Sequence, residues 1–254
     1  VAKTFTVSKA PTSIFMADAD VIYNGLGQAL SATVTDESGT TLTVDVDVVY
    51  KDASGNTVAS PTDTGVYTVT ATVNDTRYSG STTGTLTILP TPLTVTADNQ
   101  TKEYLEANPA LTLTYAGFQN SEDSSVLTTQ ATFGTAADEN SGLGIYGIVV
   151  YGAVAANYTI THVDGILTVE KNSIVITLTG TSQTYTGSGL AVTATPAMAD
   201  ITVVVTYADS ADAAVVSPTN AGTYTVSATA DSTLYRGTQT GTLTIGKATA
   251  TATL

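Results

Sequence analysis

The residues able to do chemistry in this 254-residue chain are few and scattered. There is one histidine, His162, and no cysteine, so thiolate nucleophiles, thiolate metal sites and disulfides are excluded by composition. His162 lies in an alternating apolar–polar segment, and no G-x-S-x-G or H-E-x-x-H pattern supplies it with a nucleophile or a second metal ligand. It reads as a hydrogen-bonded or solvent-facing strand histidine. Gly142-Leu143-Gly144-Ile145-Tyr146-Gly147 satisfies G-x-G-x-x-G, but such a loop cradles a pyrophosphate only where a helix follows. Here Ile148-Val149-Val150-Tyr151 follows, which reads as a strand, so nucleotide binding is rejected.

Asp18/Asp20 and Asp45/Asp47 are i, i+2 pairs that a strand projects from one face. Calcium needs about 6–8 oxygens, and no Asp-rich loop with its glycine and closing glutamate is present. The pairs read as solvated acids that discourage edge pairing, with calcium between repeats as the alternative. Lys9, Lys171 and Lys247 sit between elements, so a lysine–asparagine isopeptide is not expected. The sequence therefore assigns no catalytic, cofactor-binding or metal residue, and the chain does not read as an enzyme.

Surface chemistry is equally restrained. The formal charge is −14, from 22 acidic and 8 basic residues, which leaves no basic patch for nucleic acid or for an anionic membrane. Charged residues make up 12%, about half the usual share, while 42% are hydrophobic. The polar surface must then come from Thr, Ser, Asn and Gly, as in a threonine-faced β protein, and an acidic, weakly charged surface suits an extracellular or salty setting. Ladders such as Thr68-Val69-Thr70-Ala71-Thr72 and Thr249-Ala250-Thr251-Ala252-Thr253 read as the solvent face of strands. An ice-binding use would need flatter sheets than twisted strands provide. Of 13 tyrosines only Tyr115 and Tyr151 have no counterpart elsewhere in the chain, which favours packing over a sugar-stacking platform. No apolar run approaches the ~18 residues of a membrane span. Val1-Ala2-Lys3-Thr4-Phe5-Thr6-Val7 has no secretory layout and reads as the middle of something longer.

The elements that must position these residues repeat. Phe5-Thr6-Val7, Leu86-Thr87-Ile88, Leu167-Thr168-Val169 and Leu243-Thr244-Ile245 recur at spacings of 81, 81 and 76 residues, and Tyr23, Tyr104 and Tyr185 each follow the first three by 18. Such periods belong to small β domains in an array. The reading is a closing strand of a preceding repeat (1–9), repeat one (10–89), repeat two (90–170), repeat three (171–246) and the start of another (247–254).

Ser60-Pro61-Thr62-Asp63-Thr64-Gly65-Val66-Tyr67-Thr68-Val69 returns as Ser217-Pro218-Thr219-Asn220-Ala221-Gly222-Thr223-Tyr224-Thr225-Val226. This Asp/Asn-x-Gly-x-Tyr-x-Val approach resembles the tyrosine corner of immunoglobulin-like sandwiches, in which the phenol bonds back to the turn. Tyr23 to Tyr50 is 27 residues and Tyr185 to Tyr207 is 22, a difference best absorbed in a surface loop. In repeat two Gly142 replaces the Asn/Asp of the corner. Its centre, Asn120-Ser121-Glu122-Asp123-Ser124-Ser125-Val126-Leu127, combines an N-cap with first-turn acids and predicts one short helix. Repeat two is then either a variant sandwich or a β-grasp-like domain.

Taken together, Tyr-x-Gly, the Ser-Pro-Thr-Asn-Ala-Gly-Thr-Tyr run and Gly241-Thr242-Leu243-Thr244-Ile245-x-Lys247 resemble the MBG-type repeats of large bacterial surface proteins and adhesins. Repeat two resembles the companion type through Leu93–Lys102, Asn108-Pro109-Ala110-Leu111, Gly117-Phe118 and Asn157-Tyr158-Thr159-Ile160; Leu105 departs from it where glycine is favoured after the tyrosine. The resemblance implies a secreted, multi-repeat setting and transfers no catalytic residue. The expected chain is an all-β tandem of three domains, a monomeric stalk segment of a bacterial surface adhesin whose partners are its neighbouring repeats. No nucleic acid, membrane insertion or cofactor is expected, and the host or surface ligand is bound elsewhere in the parent protein. The alternative is an adhesive module reading glycan or host protein through its end loops.

Overall fold

In the computed structural model, which describes Lys3 and residues 5–250, regular structure is β-strand throughout except for one short 3-10 turn. Two compact units divide the chain: Val1–Asp98, Thr112–Gly134 and Val149–Gly165 in one, Asn99–Leu111, Thr135–Ile148 and Ile166–Leu254 in the other. Phe5-Thr6-Val7 joins no sheet, and Phe5 and Val7 lie exposed. The remainder of that segment, Val1, Ala2 and Thr4, and Thr251-Ala252-Thr253-Leu254 of the expected opening segment, lie outside the described residues.

Repeat one contains β1 (Ala10–Pro11), β2 (Ser13–Met16), β3 (Ala19–Ile22), β4 (Ala32–Thr35), β5 (Val46–Lys51), β6 (Thr57–Val58), β7 (Gly65–Val73), β8 (Tyr78–Ser79) and β9 (Ser81–Leu89). One sheet runs β3–β9–β7–β5–β6, while β2–β4 and β1–β8 form two further pairs. The opening segment thus crosses between sheets: β2 pairs antiparallel with β4, then β3 pairs parallel with β9. The alternation of β7 decides what is inside. Tyr67, Val69, Ala71 and Val73 are buried with Leu86 and Ile88 of β9, and Thr68, Thr70 and Thr72 turn outward. Burying each such aliphatic side chain stabilises by about 1.5–3 kcal/mol. Leu86→Ala, at a fully buried position, would cost about 2–5 kcal/mol.

Repeat two contains β10 (Thr91–Ala97), β11 (Gln100–Glu103), β12 (Leu113–Ala116), β13 (Thr132–Thr135), β14 (Gly144–Tyr151), β15 (Tyr158–Val163) and β16 (Gly165–Glu170). The order β12–β10–β15 makes a sheet of the first unit; β11–β16–β14–β13 makes the other, and along the chain β13 and β14 pass from one unit into the other. The helix predicted at 120–127 is reduced to a 3-10 turn, Ser124–Val126, capped by the Asp123 side chain on the Ser125 amide. Asn120 and Ser121 both take positive φ (47° and 62°), so the chain turns sharply and enters Glu122 from outside any helix. With no α-helix among the described residues, nothing stands over a sheet as a β-grasp requires.

Repeat three contains β17 (Asn172–Ser173), β18 (Ile176–Thr179), β19 (Ser182–Thr184), β20 (Thr193–Pro196), β21 (Val203–Ala208), β22 (Ala214–Val215), β23 (Gly222–Asp231) and β24 (Tyr235–Gly246). It reproduces repeat one strand for strand, with β24 standing for β8 and β9 together. The sheet runs β17–β24–β23–β21–β22 with β19 parallel to β24, and β18–β20 lies beside it. Val192, Tyr207, Tyr224, Val226, Leu243 and Ile245 form its buried cluster. Most of the length difference between the two repeats falls in the connection before the fifth strand: residues 36–45 precede β5, but only residues 197–202 precede β21.

The corner tyrosines act as the spacing predicts. The Tyr67 hydroxyl donates to the Asp63 carbonyl at 2.8 Å and Tyr224 to the Asn220 carbonyl at 2.9 Å. Tyr146 donates to the Gly142 carbonyl at 2.9 Å. The corner therefore survives the loss of Asn/Asp in repeat two, because its acceptor is the backbone and any residue provides one. With this strand order and these corners, the chain is a tandem of immunoglobulin-like β domains.

Candidate functional site

Of the residues singled out for their chemistry, His162 and Asp18 hold backbone amides in place. His162 Nε2 accepts from the Ala153 amide at 3.3 Å, as a hydrogen-bonded strand histidine. Gly142–Gly147 leads into β14 with no helix behind it. Asp18 Oδ1 accepts from the Thr85 amide at 2.6 Å, at the crossing from β2 to β3. Asn99, 81 residues on, does the same for Ile166 at 2.9 Å. That an uncharged amide serves equally shows that the role needs an acceptor and no charge. Asp20, Asp45 and Asp47 are exposed. Among the described residues no three His, Asp or Glu side chains gather as a metal site. Lys171 pairs with Asp231, while Lys9 and Lys247 are exposed. The buried lysine is Lys102, which sequence reasoning passed over. Its ammonium donates to the carbonyls of Glu106, at 2.9 Å, and Asp138.

What the side chains do assemble is a pair of joints. A single residue, Pro90, links β9 to β10, and a single residue, Lys171, links β16 to β17. Each repeat ends in the same way. The amide of a tyrosine just after the parallel strand donates to the carbonyl of the last strand's final residue: Tyr23 to Leu89, Tyr104 to Glu170, Tyr185 to Gly246, all at 2.8 Å. This plants the phenol where the next repeat begins.

At the first joint, within the first unit, the Tyr23 ring meets Tyr158 edge-on, with centroids 5.5 Å apart and planes at 72°. Phe118 also packs edge-on against Tyr158, with centroids 5.7 Å apart. Both phenols donate to one carboxylate, Tyr23 to Glu122 Oε1 at 2.5 Å and Tyr158 to Oε2. The Tyr158 oxygen also accepts from the Gln119 amide at 2.9 Å. Around them Asn157 binds the corner turn of repeat one: its Nδ2 donates to Asp63 Oδ1 at 2.9 Å, and its Oδ1 accepts from the Thr64 amide at 2.9 Å. Asn120 Nδ2 reaches the Gly25 carbonyl at 3.1 Å. Burial, reinforced by the bond to Glu122, pushes the Tyr158 phenol up to about 12. The same causes raise Tyr23.

At the second joint, within the second unit, Tyr104 meets Tyr235 edge-on at 6.1 Å, and Asn172 Nδ2 donates to the Tyr104 carbonyl at 2.6 Å. The remainder is exposed charge. Glu103 accepts from the Ser173 hydroxyl at 2.6 Å and the Ser173 amide at 3.0 Å. Arg236 reaches Glu170 at 3.2 Å and Glu103 at 3.8 Å. The Ser173 bonds, with Arg236 behind them, hold the Glu103 carboxyl below its ordinary value. The sequence marked Tyr23, Tyr104 and Tyr185 by spacing but held no sign of Glu122 as the acceptor for Tyr23 and Tyr158, since 99 residues separate it from Tyr23.

Tandem immunoglobulin-like β domains, joined by aromatic and polar contacts, are therefore what the site defines. The chain belongs to the MBG domain family. The MBG domain model matches residues 12–92 and 175–249, and the MBG domain (YGX type) model matches residues 93–168. No curated protein matches the chain. Among solved structures it is similar to the I9–I11 tandem of titin, at 14% identity over 93% of this chain and 100% of that one, with a TM-score of 0.31. It is also similar to extracellular domains 3–5 of Drosophila OTK, at 9% identity over 92% and 95% of the two chains, with a TM-score of 0.34. At these scores the fold rests on the strand order and corners described above. The family makes the chain a surface-associated repeat module.

Proposed function

We propose that this chain is a spacer segment of a secreted bacterial surface adhesin, whose repeats at 10–89, 90–170 and 171–246 are joined stiffly to carry a binding domain away from the cell. The observation that supports this reading is the construction of the joints. One-residue links leave little slack, and at each joint side chains of one repeat engage the backbone and rings of the repeat before it. The acidic, threonine-rich surface supplies solubility, and the chain works as a monomer through contacts with neighbouring repeats. Small-angle scattering on the full chain tests the proposal. With strands of eight to ten residues at ~3.3 Å each, a repeat is about 30 Å long, and a spacer gives a maximum dimension on the order of 100 Å. A near-spherical particle would overturn it.

A further inference from the structure

Two of the three exit tyrosines are covered by a tyrosine of the following repeat, and the third stands open. Tyr23 is 4% exposed, whereas Tyr185, in the same position and with the same amide bond, is 40% exposed. The surrounding loops match. Gln28 and Leu190 donate their amides to Pro61 and Pro218, both at 2.8 Å, and Gly25 and Gly187 both take left-handed backbone (φ 74° and 83°). Gly27 and Gly189 admit the hydroxyls of Ser60 and Ser217 so closely that a Cβ would lie 1.9 and 1.8 Å from them. We infer that the face built from Tyr185, Gly187, Asn220 and Ala221 is a socket for a repeat of the middle, YGX type, supplied in line after β24, with a carboxylate, a tyrosine and an asparagine placed as in Glu122, Tyr158 and Asn157.

The choice of partner follows from what the socket keeps and what it lacks. Every backbone group used at the first joint has its counterpart, the Gly187 carbonyl for that of Gly25 and the Ala221 amide for that of Thr64. Asn220 presents an amide oxygen where Asp63 presents a carboxylate, so an asparagine on the partner can still donate to it. A partner of the repeat-three type enters through Arg236, which at the second joint meets Glu103 and Glu170. The equivalents of those acids here are Thr184 and Gly246, paired in the same parallel ladder. Such a partner would bring an arginine with no carboxylate to meet it, whereas the middle type brings its own acid for the phenol.

This inference rests on the spacer reading, and the experiments separate the two. Tyrosine nitration followed by peptide mass spectrometry is run on the full chain, and on a longer chain in which a second copy of residues 90–170 directly follows residue 246, its Pro90 serving as the one linking residue. Tyr185 should react at least about tenfold faster than Tyr23 in the chain alone and fall to the Tyr23 rate in the longer one. Unchanged reactivity of Tyr185 overturns the inference while leaving the spacer intact. Fast reaction of Tyr23 as well removes the first joint, and the spacer reading with it. A concentration-dependent dimer with Tyr185 protected assigns the socket to a second copy and overturns the in-line partner. Should the added copy fail to fold, the double variant D63N/T64A, which gives repeat one the socket of repeat three, decides the matter. Tyr23 should remain protected to within about tenfold, the size of one lost hydrogen bond; a larger rise shows that the Asn/Ala face does not accept a middle-type repeat.

Discussion

The two joints solve one mechanical problem with different chemistry. At the first, two buried phenols converge on one partly buried carboxylate, and Phe118 packs edge-on against Tyr158. At the second, the ring contact is similar, but the polar part is more exposed: Asn172 bonds the Tyr104 carbonyl, Glu103 takes the Ser173 hydroxyl and amide, and an exposed arginine reaches two glutamates. Hydrogen bonds from neutral donors to a partly buried carboxylate depend on geometry more than on salt, whereas solvent-exposed ion pairs are screened and contribute little. The first joint is therefore specific and brittle, and the second tolerant and weak.

Substitution at Glu122 breaks that contrast most severely. Glu122→Ala leaves both phenols without their acceptor and should cost about 2–4 kcal/mol in urea unfolding, with a matching rise in Tyr23 reactivity. Alkaline titration comes next. Because the folded Tyr158 phenol ionises near 12 and an unfolded one near 10, the stability it contributes is complete below pH 10 and is lost as pH rises from 10 towards 12. The second joint weakens at the other end. Glu103 is depressed below its ordinary 4.5, so its contribution is present above that value and fades as pH falls through the depressed one. Circular dichroism against pH, with E122Q and E103Q as controls, should assign each edge to its joint.

Smaller effects sharpen the comparison. Tyr23→Phe should cost about 1 kcal/mol, whereas Tyr104→Phe, whose hydroxyl has no partner among the described residues, should cost less than about 0.5. Leu105→Gly should stabilise by about 1 kcal/mol, because Leu105 holds φ at 66° beside the second joint and is 45% exposed, so little packing is lost with its side chain. Arg236→Ala should cost about 0.5 kcal/mol or less, and nothing measurable in 1 M salt.

Much of the fold was legible because it is written in local pattern. The alternation of β7 and β23, the corner tyrosines and the 81-residue spacing all describe short-range geometry that each repeat must satisfy for itself. Leu105 was legible as an anomaly, and its left-handed backbone explains why glycine is favoured there. The joints were not. Glu122 read as a first-turn acid, yet Asn120 and Ser121 turn the chain before a helix can start, and the carboxylate serves tyrosines 99 and 36 residues away. Gly142 misled in the opposite sense, since the missing side chain was never the acceptor.

In every repeat the strand just before the exit tyrosine runs parallel to the closing strand: β3 beside β9, β11 beside β16, β19 beside β24. Tension that enters near the start of one and leaves at the end of the other slides them in opposite directions, so the hydrogen bonds between them bear the load as a group. A hairpin pulled from its open end would yield one rung at a time. Such a closure lets a domain of modest thermodynamic stability stay folded under a tug too brief for all its rungs to fail at once.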